Sequence, residues 1–174
     1  MKFDNKRHLI ATIVLTSFTI LFNIFIITQS CLNGNQSTVS SGFVVELIKS
    51  FINAFSKDVI NESNIDILTS ITRKAVGHFG LFMISGILTS WSIHLLSKYI
   101  KKYQLWFGIS FSLFFGLFLA GLTELIQRFV PGRSGEFTDV LIDYGGYLLG
   151  ASIIIVIVLI MIKNHNKEER GEIL

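Results

Sequence analysis

The chain has 174 residues, of which 51% are hydrophobic and only 16% are charged. A soluble domain carries about 25% Asp, Glu, Lys and Arg, so this chain has too few charges to cover a water-exposed surface. The composition also excludes a disordered or solenoid protein, and the single Cys31 excludes an internal disulfide. We therefore predict one integral membrane domain over residues 1–174. The net charge of +3 does not by itself indicate a nucleic-acid partner, and none is expected.

Four apolar segments are long enough to cross a hydrocarbon core of about 30 Å, which takes roughly 20 residues as a helix. They are residues 9–28, 75–97, 105–126 and 140–162. The first exceeds the apolar core of about 7–15 residues that a signal peptide has, and no A-x-A-like cleavage site follows it. We interpret it as a retained anchor. Because lipid offers no partner for unpaired backbone groups, all four segments should be helical.

Basic residues beside the spans predict the orientation, since Lys and Arg are enriched on the cytoplasmic side. Nine of the fifteen lie on one side of a four-span topology: Lys2, Lys6, Arg7, Lys98, Lys101, Lys102, Lys163, Lys167 and Arg170. Both termini are therefore expected in the cytoplasm. The pairs Arg73/Lys74 and Arg128/Arg133 lie on the other side, against this trend, and are candidates for function.

The segment 29–74 is predicted to form an outer loop. It begins with a polar stretch at 33–41, after which apolar residues recur at helical spacing. These apolar residues are Phe43, Val44, Leu47, Ile48, Phe51, Ile52 and Phe55. The pattern predicts an amphipathic helix, either packed as a lid on the outer ends of the spans or lying in the membrane interface. The segment is too short for a separate soluble domain.

Polar residues gather near the outer ends of three spans. An intramembrane carboxylate costs at least about 2.5–3.5 kcal/mol, so it should face the bundle interior and have partners there. The residues form groups at one-turn spacing: Lys74 and His78; Glu124, Gln127 and Arg128; Asp139 and Asp143. Because four residues rise about 6 Å along a helix, the inner member of each group should lie about 6 Å below its outer partner. We therefore expect His78, Glu124 and Asp143 at similar depth.

Small residues lie at one-turn spacing along the same helices as these polar residues, and they should let the helices approach closely. They are Gly108, Ser112, Gly116 and Ala120 before Glu124, and Gly146 and Gly150 after Asp143. Since a step of four residues drifts by about 40° around a helix, only Gly116 and Ala120 are expected safely on the face of Glu124. We therefore expect the polar cluster to be buried between the spans and open outward.

Each polar residue alone has a simpler explanation. His78 could be only an interhelical hydrogen-bond partner. Glu124 could form an ion pair with Arg128, and Asp139 could cap the fourth helix. Six or more ionisable groups at one depth nevertheless exceed what structural pairing requires, and we predict a functional pocket.

Ordered motifs over residues 73–150 resemble the VanZ-like family, small bacterial membrane proteins named for a teicoplanin-resistance protein. The motifs are Arg73-Lys-x-x-Gly-His-Phe-x-x-Phe82, Glu124-x-x-Gln127 and Pro131-Gly-Arg-Ser-x4-Asp-x3-Asp-x2-Gly-x3-Gly150. The resemblance implies a multi-span plasma-membrane protein, linked in some members to low-level lipoglycopeptide resistance. Its motif positions imply functional roles for Lys74, His78, Glu124, Gln127, Arg133, Asp139 and Asp143. Asn is also common in the family at the position of Asp143.

Three functional classes follow from these residues. The first is binding of a membrane lipid, a lipid-linked cell-wall precursor or a lipoglycopeptide antibiotic, with Lys74, Arg128 and Arg133 holding a phosphate. The second is an enzyme acting on such a lipid, with acid/base candidates His78, Glu124, Asp139 and Asp143. The third is transport, which the apolar stretch 153–162 disfavours for a monomer.

The sequence determines neither a cofactor nor the oligomeric state. The motifs G-x-S-x-G, H-E-x-x-H and the P-loop are absent, so no nucleophile is assigned. Ser134 lies in a turn where serine is expected, and it is only a weak candidate. The acidic and histidine side chains could bind a divalent cation, but the sequence assigns no set of metal ligands.

Overall fold

The computed structural model describes residues 5–55, 61, 63–97, 99 and 105–170. These residues form helices and turns and no strand. The helices are α1 (Asn5–Ser30), α2 (Gly34–Phe55), α3 (Ile65–Thr72), α4 (Leu81–Ser97), α5 (Leu105–Gln127) and α6 (Phe137–Glu169), with a π-helix (Arg73–Gly80) between α3 and α4.

Four helical segments in the described part of the chain are long and apolar enough to cross a membrane. They are Lys6–Ser30, Ile65–Ser97, Leu105–Gln127 and Phe137–Glu169. The predicted all-helical class with four spans is thereby confirmed. The basic residues Lys2, Lys98, Lys101 and Lys102, on which the predicted orientation partly depends, lie outside the described residues.

The helix that contains the second span begins before the predicted span. Residues 65–74 were expected in the outer loop, but they are helical and continue into the π-helix and α4. A turn at the start of α3 explains this boundary, since the backbone N–H of Asn61 donates to Asn64 Oδ1 at 2.8 Å. The outer segment is correspondingly shorter than the predicted range 29–74. The helix that contains the fourth span is also longer than the predicted span at its C-terminal end, since α6 continues past Ile162 to Glu169.

The second span and α6 pack backbone against backbone. A Cβ at Gly146 would lie 2.2 Å from the backbone oxygen of Phe79, and a Cβ at Gly150 would lie 2.0 Å from that of Met83. From the other side, a Cβ at Gly86 would lie 2.2 Å from the oxygen of Tyr147. Only glycine permits backbones this close, so the predicted packing role of Gly146 and Gly150 is confirmed.

The small residues of α5 also face the bundle interior. Gly116 and Ala120 are buried, as predicted, and Gly108 and Ser112 are buried as well. Gly116 leaves room for the ring of Tyr147, whose hydroxyl lies 3.1 Å from Ser112 Oγ. Tyr147 is completely buried and fills the space between α5 and α6 one helical turn along from Asp143.

Helix α1 is part of the same bundle. Its Thr19 Oγ1 lies 2.8 Å from Ser92 Oγ, and Ser85 Oγ donates to Asn23 Oδ1 at 2.6 Å. All four side chains are buried, and hydrogen bonds between buried polar groups hold membrane helices in one register. These contacts place the first apolar segment within the helix bundle.

Helix α2 begins at Gly34, within the polar stretch that precedes its predicted apolar face. The Gly34 N–H donates to the carbonyl oxygen of Pro131 at 3.2 Å. Gly132 turns the chain at this point with a φ of 72°, a left-handed conformation that glycine adopts most readily. The start of α2 is therefore held against the turn between α5 and α6.

Candidate functional site

Three helical segments bring His78, Glu124 and Asp143 together. The His78 Nδ1 atom lies 3.0 Å from Asp143 Oδ1 and 3.7 Å from Glu124 Oε1. All three residues are buried, and Asp143 is completely inaccessible. The predicted convergence of these residues at one depth is confirmed.

Asp139 extends this cluster toward Lys74. The Lys74 Nζ atom lies 3.1 Å from Asp139 Oδ1, and His78 Nε2 lies 4.0 Å from Asp139 Oδ2. The N-cap of α6 is Glu136, and Asp139 lies in the first turn. The Asp139 carboxylate thus faces Lys74 and His78 rather than serving as the N-cap.

Glu124 is oriented by hydrogen bonds on both of its oxygens. Gln127 Nε2 donates to Glu124 Oε1 at 3.0 Å, and the backbone N–H of Glu136 donates to Glu124 Oε2 at 3.1 Å. A Cβ at Gly135 would lie 2.4 Å from the backbone oxygen of Glu124, so the turn residue must be small. Glu124 therefore ties the turn after α5 to the centre of the site.

Arg133 connects this network to α2. Its Nε donates to Gln127 Oε1 at 3.2 Å, and its Nη1 donates to Ser37 Oγ at 2.5 Å. Burial and the nearby positive charge of Arg73 lower the pKa of Arg133, and the charges of Glu124 and Asp139 act in the opposite direction. An arginine remains protonated at neutral pH even so, and two guanidinium charges therefore lie close together.

A cavity of about 200 Å³ lies beside the cluster. Its polar wall includes Arg73, His78, Gln127, Arg133 and Asp143, together with Ser37 of α2. Its apolar wall includes Phe25, Ile26, Val44, Val76, Leu81 and Phe82. The cavity thus places guanidinium groups and an imidazole next to an extended apolar surface.

The sequence-predicted residues do not all line this cavity. Lys74, Glu124 and Asp139 lie in the polar cluster behind its wall. Arg128 is exposed and lies outside both the cavity lining and the polar cluster. Among the described contacts, Arg128 and Glu124 form no ion pair, and only their backbones are hydrogen-bonded.

A model of the VanZ/LLP1 family matches residues 8–160 of the chain. The chain belongs to the VanZ/LLP1 family. The match confirms the resemblance drawn from residues 73–150 and extends it over α1 and α2. No curated protein and no solved structure matches the chain.

Membership of the VanZ/LLP1 family and the four span-forming helices together identify a multi-pass membrane protein. Within this VanZ/LLP1 chain, Lys74, His78, Glu124, Asp139 and Asp143 form one polar cluster. Gln127 and Arg133 link that cluster to the cavity and to α2.

Several residues that line the cavity of this VanZ/LLP1 protein are absent from the predicted site, among them Arg73 and Ser37. The sequence marks Arg73 as a candidate for function, because it is a basic residue on the unexpected side, but does not assign it to the site. Ser37 lies in a polar stretch without a periodic pattern, so nothing in the sequence indicates its contact with Arg133. A π-helix, which often occurs at functional sites, carries both Arg73 and His78.

Proposed function

We propose that this membrane protein binds a phosphate-bearing lipid of the cell envelope, either a membrane lipid or a lipid-linked cell-wall precursor. One observation carries the proposal: the cavity combines Arg73 and Arg133 with an apolar wall. Guanidinium groups match the geometry of phosphate oxygens, and two neighbouring positive charges are stabilised when an anion lies between them.

The apolar wall supports a lipid rather than a free phosphate. Phe25, Ile26, Leu81 and Phe82 offer a hydrocarbon surface beside the arginines. A cavity of about 200 Å³ holds a headgroup and the first part of a chain, and the remaining hydrocarbon would extend into the bilayer. The ligand class is therefore amphipathic, with a phosphate or pyrophosphate at the junction.

Membrane placement completes the proposal. We assign the protein to the bacterial plasma membrane with both termini cytoplasmic, which directs the cavity outward. Helix α2 would lie in the outer interface, because Phe43, Leu47, Phe51 and Phe55 form an exposed apolar stripe while Val45 is buried against the protein. Such a helix would border the route of a lipid into the cavity.

Binding can be tested with purified protein in nanodiscs, titrated with a polyprenyl phosphate and with the same polyprenol lacking phosphate. The phosphate form should bind more tightly, and Arg133→Ala should weaken that binding about tenfold or more, since a charge-assisted hydrogen bond contributes about 1.5–3 kcal/mol. Arg128→Ala is the matched control and should bind normally, because Arg128 is exposed outside the cavity. Equal affinity for both lipids, or equal losses in both variants, would contradict the proposal.

A second candidate is an enzyme acting on the same lipid. It is favoured by the position of His78, which lines the cavity while its Nδ1 contacts Asp143. A histidine held by a carboxylate is suited to general acid/base catalysis. Mass spectrometry of lipids incubated with the protein decides between the candidates: turnover that is lost in His78→Gln favours the enzyme, and unchanged bound lipid favours binding alone.

Transport through one chain is not supported by the packing below the cavity. Tyr147 and Ala151 are completely buried, and Leu119 is nearly so. These side chains fill the bundle between the cavity and its opposite end. A polar path across the single chain would have to cross this packed layer.

Low-level resistance to teicoplanin or another lipoglycopeptide is a further part of the proposal. A protein that binds a lipid-linked precursor could alter its availability to an antibiotic, or the antibiotic could itself be the ligand. Cells expressing the wild type should be less susceptible than vector controls, and Arg133→Ala should remove the difference while Arg128→Ala should retain it. Equal susceptibility in all four strains would contradict the resistance role.

A further inference from the structure

We propose that His78, Glu124 and Asp143 form a binding site for one divalent transition-metal ion. One imidazole nitrogen and one oxygen from each carboxylate all lie within 4.8 Å of one another. Imidazole and carboxylate together suit Zn²⁺ and Mn²⁺. The residues come from the π-helix, α5 and α6, so a bound ion would join three elements of the bundle.

Two of the three separations between the ligand atoms fit coordination to one ion. His78 Nδ1 lies 3.0 Å from Asp143 Oδ1 and 3.7 Å from Glu124 Oε1. Atoms that are each about 2.1 Å from an ion would then subtend angles of about 90–125°, within the range of tetrahedral and octahedral sites. The ion would replace the proton that His78 and Asp143 share in their direct hydrogen bond.

An unsatisfied oxygen independently indicates a missing partner. Asp143 is completely buried, it lines the cavity, and its Oδ2 has no hydrogen-bond partner among the described residues. A buried polar atom without a partner is costly in a low-dielectric interior. A cation coordinated by both oxygens of the Asp143 carboxylate would supply that partner.

The charge balance and the surrounding contacts also favour a cation. Lys74 pairs with Asp139, and the nearby Arg133 donates to Gln127 and Ser37. Among the described contacts, neither Lys74 nor Arg133 forms an ion pair with Glu124 or Asp143, whose carboxylates surround a histidine. A doubly charged ion would neutralise them while His78 remained uncharged. Gln127 and the Glu136 backbone orient Glu124 by hydrogen bonds. Asp139 faces the other imidazole nitrogen of His78 at 4.0 Å. Outer carboxylates and amides take such positions around metal sites.

The test uses the full chain in nanodiscs, stripped with a chelator and titrated with Zn²⁺ or Mn²⁺ alone. We expect saturable binding of one equivalent, weakened at least about a hundredfold by His78→Gln. His165→Gln should bind normally, since His165 is exposed at the far end of α6. Asp139→Asn, which alters a group facing the imidazole, should weaken binding by about 10–100-fold.

Cobalt(II) substitution supplies a readout that does not depend on stability. Visible ligand-field bands should appear on adding one equivalent of Co²⁺ to the wild type and to His165→Gln. They should be absent in His78→Gln, provided that this variant elutes from size-exclusion chromatography like the wild type. Absence of stoichiometric binding in the wild type, or loss of binding in His165→Gln alone, would overturn the proposal. No polyprenyl phosphate is added, so this outcome is separate from that of the lipid-binding test.

Discussion

Asp139 illustrates how single residues of the cluster depend on one another. Its buried carboxylate lies between Lys74 and His78, and Lys74 provides the closest positive charge. An ionised carboxylate at this depth is tolerated when a cation pairs with it. The contribution of Lys74 to the free energy of unfolding should therefore depend on the charge of Asp139.

A double-mutant cycle tests this dependence. Lys74→Met should lower the free energy of unfolding by about 1–2 kcal/mol, reduced from the value for a fully buried pair because Lys74 is partly exposed. In an Asp139→Asn background the same substitution should cost less, since no charge is left unpaired. Thermal unfolding in detergent monitors all four proteins. Equal losses in the two backgrounds would show that the pair does not interact.

At the scale of elements, glycine packing decides how close the second span and α6 lie. Gly146 faces the backbone of Phe79, immediately after His78 in the π-helix. A larger residue at 146 would push this segment away from α6 and with it His78 from Asp143. Packing between helices and the geometry of the polar cluster are thus determined by the same contact.

Neighbouring glycines offer a matched test of that contact. Gly146→Ala should destabilise the protein by about 1–3 kcal/mol, because its Cβ would lie 2.2 Å from the Phe79 oxygen. Gly145→Ala should not destabilise it, because a Cβ there meets no atom within 4 Å. Thermal unfolding of both variants in detergent checks the prediction. Similar melting temperatures for the two would contradict close packing of α6 against the π-helix.

Helix α2 should insert its exposed apolar stripe into the membrane interface. In a Cys31→Ser background, a fluorescent label at Phe51→Cys should be quenched by nitroxide groups placed in the lipid. A label at Glu46→Cys, on an exposed position carrying a charge, should be quenched less. Equal quenching at both positions would indicate that α2 does not lie in the interface with this face toward the lipid.

The orientation of the whole molecule can be read with its single cysteine. Cys31 is exposed next to the end of α1, at the end of the bundle that holds the cavity. In intact cells a membrane-impermeant maleimide should label it. In a Cys31→Ser background, the cysteine introduced by His165→Cys should be labelled only after permeabilisation, since the end of α6 is expected in the cytoplasm. The reverse pattern would invert the proposed topology.

Much of the molecule was predictable because membrane insertion depends on local composition. Apolar runs of sufficient length identified all four span-forming helices, although the helix of the second begins at Ile65 and that of the fourth ends at Glu169. Polar residues at one-turn spacing likewise indicated that His78, Glu124 and Asp143 would meet. The ends of helices were less predictable, since turns such as Asn61–Asn64 and contacts made by neighbouring elements determine them.

The sequence by itself determined the membrane class, the number of spans and the residues of the polar cluster, because the cost of placing a charge in hydrocarbon acts on every such residue alike. Only the tertiary structure decided which residues face the cavity. It placed Arg73 and Ser37 in the cavity wall and left Arg128 outside it. The position of Arg73 depends on the π-helix, and that of Ser37 depends on the docking of α2 against the turn at Pro131 and Gly132. The spacing of residues along the sequence specifies neither feature.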